Sequence, residues 1–558
     1  MGTFRIPVGG EDFDEIRQKS DYYVDKSGLI YELLTTTRNK VTLFTRPRRF
    51  GKTLNMSMIG SFFDITRDSR TVFEGLEVSR HEAFCREWMN QRPVLFISLK
   101  KVRGLDFTAA FLRLKSALAD VCKKVPYLAK SAKTSGEDIE IFRRLISQTS
   151  TEEDVKQSLL VLTRMLNAHF GRKAILLIDE YDVPLAVAHE IGYYPQMLDV
   201  IRNMFDDGCK TNDFLQFAVV TGCLRIARES IFTGTNNFAS YSILEKKFSP
   251  YFGFTQDEVK KMLEAAGLDD KAEVIKSWYD GYVFGDSAVY CPWDVANYVA
   301  AAADDPDLPP ENYWNNTSHN GIVRSFIDHT EYMVKPKFET LMNGGTIQAT
   351  VSDELTYDLL HSSEQNLWNV MFMTGYLTKA DTRENGSVVS LRIPNREVEN
   401  IFETTITQWF QETLDKTKQR RLFKALWDGD DADATEALSD LLWGTISFHD
   451  YKEDYYHGFL NGVFTGAGYS SDSNREHGLG RADIVVMDPD NRRALIIEAK
   501  KAESEDAMDR ACDEALRQIE TNRYAEDDSL YGYRTILCYG IAFYRKGALM
   551  KKSPIVER

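Results

Sequence analysis

Two stretches of this chain carry residues whose types and spacing suit chemistry on phosphates. The first, TRPRRFGKTLN (45–55), lies between an apolar strand-like run, VTLFT (41–45), and a helix-like segment, LNMSMIGSFFD (54–64). A phosphate-binding loop needs backbone N–H groups converging on an anion at a helix N-terminus. It also needs a lysine that reaches the outer phosphates and a hydroxyl for Mg2+. Gly51, Lys52 and Thr53 provide that core, although Arg46 stands where such loops usually carry their first glycine. ILLIDEYD (175–182) is an apolar strand ending in Asp179 and Glu180. Asp179 suits the water shell of Mg2+, and Glu180 suits orienting or deprotonating an attacking water. A third strand ends VVTGCLRIARES (219–230), which puts Thr221 at a neighbouring tip to sense a terminal phosphate. Arg225 and Arg228 follow, and read equally as transition-state charge or as surface arginines on a helix. The strand tips of open α/β sheets are where such folds hold ligands, so the set predicts nucleotide binding with Mg2+.

The second stretch joins GLGRADIVVMD (478–488) to LIIEAKK (495–501). A strand, a turn and part of a second strand separate Asp483 from Glu498, so adjacent antiparallel strands bring both carboxylates to one point. Lys500 lies two residues after Glu498 and therefore shares its sheet face. Two carboxylates that hold Mg2+, with an ammonium beside them, are what metal-assisted phosphodiester hydrolysis requires. Glu453 on a preceding helix is a candidate third carboxylate, and Gln518 and Tyr524 on the following helix are candidates to face the site. Glu476 competes for metal, His477 reads as ligand or loop residue, and His457 reads better as a packed or capping histidine.

The elements that must position these residues follow from the rest of the chain. At roughly 150 residues per domain, 558 residues suggest three or four domains. Apolar runs are short, and nothing approaches the length of a membrane span. The N-terminus lacks a basic start with an apolar stretch and matches a myristoylation signal poorly, so a cytoplasmic, non-membrane protein is expected. Seven scattered cysteines without a CxxC pair point to reduced thiols. A net charge of −16 argues against unspecific coating of nucleic acid, while leaving room for a local basic groove.

Continuous apolar runs alternating with amphipathic stretches through about residue 245 predict a parallel sheet covered on both faces. FTQDEVKKMLEAAGL (254–268) predicts a helix with a threonine cap and an acidic first turn. QNLWNVMFMTGYLTK (365–379), a RENG turn and SVVSLRIP (387–394) outline a helix and hairpin, as in a winged helix. The last part reads helix (450–464), strand, strand, helix (506–525), strand, a small α/β unit. The domains expected are 1–245, 246–440 as a helical or winged-helix connector, and 441–558.

Several blocks resemble a known family. DYYVDKSGLI (21–30), RPRRFGKTLNMSM (46–58), LLIDEYDVP (176–184), TGCLRIARESIFTGTNN (221–237) and WYDGYVFG (278–285) are similar to the AAA-ATPase-like proteins of bacteria. In these a P-loop NTPase domain, related to AAA and STAND signalling ATPases, is joined to a C-terminal nuclease-like domain. The resemblance implies that a loop without its first glycine is that family's own form, with Arg46, Pro47, Arg48, Arg49 and Phe50 leading into the Gly51–Lys52–Thr53 core. It implies ATP binding with Mg2+ through Lys52, Thr53 and Asp179. SNREHGLGRADIVV with IIEAKK looks like the PD-(D/E)XK superfamily, a restriction-endonuclease-like α/β fold, which implies Asp483, Glu498 and Lys500 as its core. Ala482 stands where that superfamily often has proline. The implied function is an ATPase whose nucleotide state gates a Mg2+-dependent nuclease acting on DNA or RNA. The alternative is a STAND-type signalling or scaffold ATPase whose nuclease fold binds nucleic acid or a protein without cutting. A homo-oligomer is needed only if Arg225 or Arg228 acts across a subunit interface.

Overall fold

Five apolar runs form the first sheet: β1 (Val41–Thr45), β2 (Val94–Ser98), β3 (Ala174–Asp179), β4 (Leu215–Gly222) and β5 (Phe238–Tyr241). The computed structural model describes residues 4–225, 238–314, 335–353, 363–382, 386–402, 416–443 and, with short breaks, 456–557. The sheet order is β2-β3-β4-β1-β5, and every pairing in it is parallel. β1 and β3 are buried along their whole length, as continuous apolar strands require when helices cover both faces. The register brings the tips together. Ser98 pairs with Asp179, Phe44 with Thr221, and Thr45 with Gly222.

The chain divides into two compact units, one of residues 1–318 and 348–398, the other of 319–347 and 399–558. The stretch expected as a separate connector is thus distributed between them. In the first unit, helix Gln256–Ala266 starts at Thr255 with a full capping box to Glu258, as its sequence predicts. Val259, Met262, Ile275, Tyr279, Val295 and Tyr298 form a core of their own there. Helix Glu364–Thr374 runs into the antiparallel strands Thr378–Lys379 and Val388–Arg392, while the RENG turn lies largely outside the described residues. Tertiary bonds tie this piece into the first unit. The Thr378 hydroxyl accepts from Val283 N–H at 2.9 Å, and Lys379 donates to the Gly285 carbonyl.

In the second unit, strand Ile484–Asp488 is antiparallel to Arg493–Lys501, which is parallel to Thr535–Tyr544. Helix Met508–Thr521 makes the crossover, and Gly547–Lys552 returns antiparallel. The helix rests on Gly540, where an added Cβ would lie 2.4 Å from the Cys512 carbonyl oxygen. The expected helix 450–464 falls largely outside the described residues. Among those residues, no helix is long and apolar enough to cross a membrane.

Candidate nucleotide and nuclease sites

The first site grows out of three strand tips. Helix Lys52–Phe63 begins at Gly51, which takes a left-handed backbone (φ 76°) that glycine adopts without strain. No side chain crowds Gly51, so its requirement is conformational. Arg49 and Glu180 also have positive φ, 73° and 52°, the kind of backbone strain that concentrates at functional sites. Lys52 is buried and donates to the Arg46 and Pro47 carbonyls at 3.0 and 2.8 Å. Thr53 donates its hydroxyl to Asp179 at 2.9 Å, and Thr221 donates to the other Asp179 oxygen at 2.6 Å. Asp179 is fully buried, so these two hydroxyls fix its carboxylate.

Glu180 follows at the tip, its carboxyl pushed up by burial against the pull of Lys52. Asp182 accepts from the Cys223 and Leu224 N–H groups at 2.9 and 3.1 Å, which sets the turn after Thr221. Lys52, Thr53 and Glu180 border a cavity of about 490 Å³. Its lining combines charged side chains, among them Arg48, Lys52, Lys100, Arg103 and Glu180, with apolar and aromatic ones, Tyr22, Val24, Phe254, Met262 and Trp293. Cations together with aromatic surface suit a phosphorylated ligand with a planar base.

The structure separates the three arginines of RPRR. Arg46 is fully buried, with its guanidinium over the Phe252 and Phe284 rings at 4.8 and 5.6 Å. It donates to the Thr45 and Tyr241 carbonyls, while its Nε and Nη2 have no partner. Burial pushes this guanidinium down to about 9, so it remains charged at neutral pH. Its carbonyl meets Lys52, but its side chain fills the space against β5 rather than the cavity. Arg49 stacks on Trp293 at 3.9 Å and donates to the Tyr313 carbonyl. Phe50 is buried between Tyr282 and Phe284. Arg48 alone of the three is exposed, and it lines the cavity beside Arg49 and Phe50 of its own loop. Arg225 is half-buried and pairs with Asp353 at 2.7 Å. Arg228 lies outside the described residues.

The second site forms where strand Ile484–Asp488 meets Arg493–Lys501. The Asp483 N–H points at Glu498 Oε2 across 3.4 Å, and Asp483 Oδ2 accepts from Ala499 N–H at 2.8 Å. Lys500 Nζ stands 3.4 Å from Glu498 Oε1, so the two share a face as the alternation predicts. Glu498 is almost fully buried, and burial followed by Asp483 pushes its carboxyl up to about 7. Gln518, half-buried, and Tyr524, buried, sit on or just after the helix that covers this sheet. Glu476 and His477 form a short strand paired with Gly480 and Arg481. Glu453, His457 and Ala482 lie outside the described residues. Among the described residues, no group of three or more His, Cys, Asp or Glu is arranged to hold a metal.

Residues 7–232 match the family model described as a predicted AAA-ATPase, and residues 451–553 match the PD-(D/E)XK nuclease superfamily. The chain joins an AAA-ATPase-like domain to a PD-(D/E)XK nuclease-superfamily domain. A protein of Azotobacter chroococcum mcd 1, described as an uncharacterized protein in the vnfD 5' region, is 24% identical over 565 residues. That similarity covers 98% of this chain and 97% of the relative. The aromatic wall of the cavity, Phe254 and Trp293, lies beyond the segment that matches the AAA-ATPase.

Sequence reasoning missed several residues around the AAA-ATPase-like site. Lys100 and Arg103 line its cavity, and the basic run directly after the strand PVLFISL is the signal that marks them. It also missed Asp294 and Glu397, two fully buried carboxyls hydrogen-bonded to each other near Arg49. Glu397 Oε1 accepts from Trp314 N–H at 2.7 Å. Burial and the mutual repulsion of two adjoining carboxylates outweigh the donors that reach them, so the pair shares a proton. Residues 103 positions apart give no sequence signal of such a contact.

Proposed function

We propose that the AAA-ATPase-like domain binds and hydrolyses ATP with Mg2+, and that its nucleotide state gates cleavage of nucleic-acid phosphodiesters by the nuclease-superfamily domain. The observation that carries this reading is the Thr53–Asp179–Thr221 chain of hydroxyls and carboxylate beside the buried Lys52, at the rim of a cavity of about 490 Å³. Lys52 supplies charge for the outer phosphates, and its present partners are carbonyls of its own loop. Thr53 and Asp179 provide the oxygen donors that a hard cation takes. When bound, Mg2+ neutralises phosphate charge and polarises the bond that breaks. Glu180 orients the attacking water, and burial raises its basicity toward what a base at neutral pH needs. Arg48 brings positive charge to the same space from within the chain.

In the nuclease-superfamily domain, Asp483 and Glu498 provide the cation's donors and Lys500 positions the nucleophile or offsets developing charge. Gln518 and Glu453 are assigned supporting roles. Contacts that exist only with a terminal phosphate bound are the general means of such gating. The net charge of −16 favours one rival, a scaffold ATPase that binds a partner without cutting.

The deciding experiment is a nuclease assay on the full chain with Mg2+ or Mn2+. It uses plasmid, linear and single-stranded substrates, with and without ATP, beside Lys500→Ala and Lys52→Ala. Cutting that disappears in Lys500→Ala and changes with ATP or in Lys52→Ala supports the gated nuclease. ATP binding without cutting of any substrate transfers the assignment to the scaffold.

A further inference from the structure

Lys100 stands two residues past the tip of β2, where Leu99 N–H donates to the Asp179 carbonyl at 2.9 Å. The segment after β2 therefore leaves the sheet beside Asp179 and Glu180, and Lys100 and Arg103 line the cavity with Lys52. Lys100 is bonded to Glu11, a residue of the N-terminal segment that lines the same cavity. Its side chain is 45% exposed and that of Glu11 54%. Exposed ion pairs of this kind contribute only about 0.2–1 kcal/mol, so the bond exchanges readily. After Glu11, the charges that Lys100 feels most are those of Glu180 and Asp179.

Glu11 is out of place for a site that takes an anion. It puts a second carboxylate, besides Glu180, at a cavity whose lining cations are Lys26, Arg48, Arg49, Lys52, Lys100 and Arg103. A polyphosphate entering that space repels Glu11 and competes for its lysine. Glu180 and Asp179 both act on the Lys100 charge; with Glu180 assigned above to the attacking water, the last phosphate of the chain is the one that Lys100 would meet.

We infer that Lys100 is a second phosphate-contacting cation of this site, held at rest by Glu11 and transferred to the terminal phosphate of a bound nucleoside triphosphate. This rests on the nucleotide reading given above and adds to it a means of telling triphosphate from diphosphate. Transfer frees Glu11, so the segment Ile6–Glu11 loses its ion pair with the residue two past β2 only when a terminal phosphate is present. The exchange makes that segment the part of the domain that reports nucleotide state.

The test measures equilibrium binding of fluorescent N-methylanthraniloyl ATP and ADP, with Mg2+, to the full chain. Lys100→Ala is expected to weaken the triphosphate about tenfold, the worth of one charge-assisted hydrogen bond, and the diphosphate less than about twofold. Lys100→Arg restores most of the difference. Glu11→Gln leaves triphosphate binding as tight as in the parent or tighter, because it removes the competitor and not the cation. Equal weakening of both nucleotides in Lys100→Ala, or no weakening of either, overturns the inference. So does a loss in Glu11→Gln that matches Lys100→Ala, which would make the pair merely structural. A parent protein that binds neither nucleotide removes the nucleotide reading itself, whereas a parent that binds both while Lys100→Ala does not differ removes only this inference.

Discussion

Replacing Glu397 with glutamine should flatten the pH dependence of stability of the unit that contains the AAA-ATPase-like domain. Burial first, and then the neighbouring Asp294, pushes the Glu397 carboxyl up to about 10, while Asp294 is pushed up to about 6. In the unfolded chain both groups ionise in the ordinary carboxylate range, near pH 4. From about pH 7 to about pH 8.5 the folded pair therefore holds one proton that the unfolded pair has lost. The folded form binds the extra proton, so stability falls as pH rises, by about 1.4 kcal/mol per pH unit. Over that window the pair alone accounts for about 2 kcal/mol. Its contribution is largest at or below the carboxylate range and is lost progressively as pH climbs toward the folded value. In Glu397→Gln the amide keeps the shape, its oxygen still accepts from Trp314 N–H, and its NH2 donates to an ionised Asp294. No proton is then taken up, and the slope assigned to the pair vanishes. The assay is urea unfolding of parent and variant at several pH values, read by a brief hydrogen-exchange pulse on peptides from helix Pro292–Asp304. Comparing the two proteins cancels titrations that they share. Parallel pH slopes in parent and variant would refute the shared proton.

Arg46→Gly gives the loop the glycine usual at that position, yet it empties the space between Phe252 and Phe284. It should cost on the order of 3 kcal/mol in chemical denaturation, and undiminished stability would show that the side chain does not hold the fold. A cation must displace the proton on Glu498, so Mn2+ affinity measured by calorimetry on the full chain should fall below about pH 7, approaching tenfold per unit. Equal affinity at about pH 6 and about pH 8 would refute the assignment of that carboxyl as a ligand. Gly540→Ala drives a methyl into the Cys512 carbonyl, and should abolish the folded second unit while nucleotide binding by the first persists. Limited proteolysis distinguishes the two units.

Local sequence determined the elements that carry the chemistry. VTLFT, AILLID and LQFAVVTG form largely buried strands because predominantly apolar runs suit a sheet covered on both faces. Gly51 marks the loop-to-helix turn, and the two-residue spacing of Glu498 and Lys500 sets their shared face. Thr255 and Glu258 announce a helix start, since a capping box is built from neighbours in the chain. These relations all act over a few residues, and they are legible for that reason.

Tertiary structure alone decided which of these residues meet. Arg46, Arg48 and Arg49 are adjacent in sequence, yet one fills a core, one faces a cavity and one stacks on Trp293. What sorts them is the position of Phe252, Phe284 and Trp293, which come from parts of the chain more than two hundred positions away. The same holds for Lys100 with Glu11, and for Asp294 with Glu397. Their ionisation and pairing depend on distance and burial, which a linear pattern does not encode. Residues 348–398 join the first unit for a similar reason, because Thr378 and Lys379 bond to Val283 and Gly285, about a hundred residues earlier. Sequence supplied the donors, acceptors and charges, and packing determined which of them are buried together.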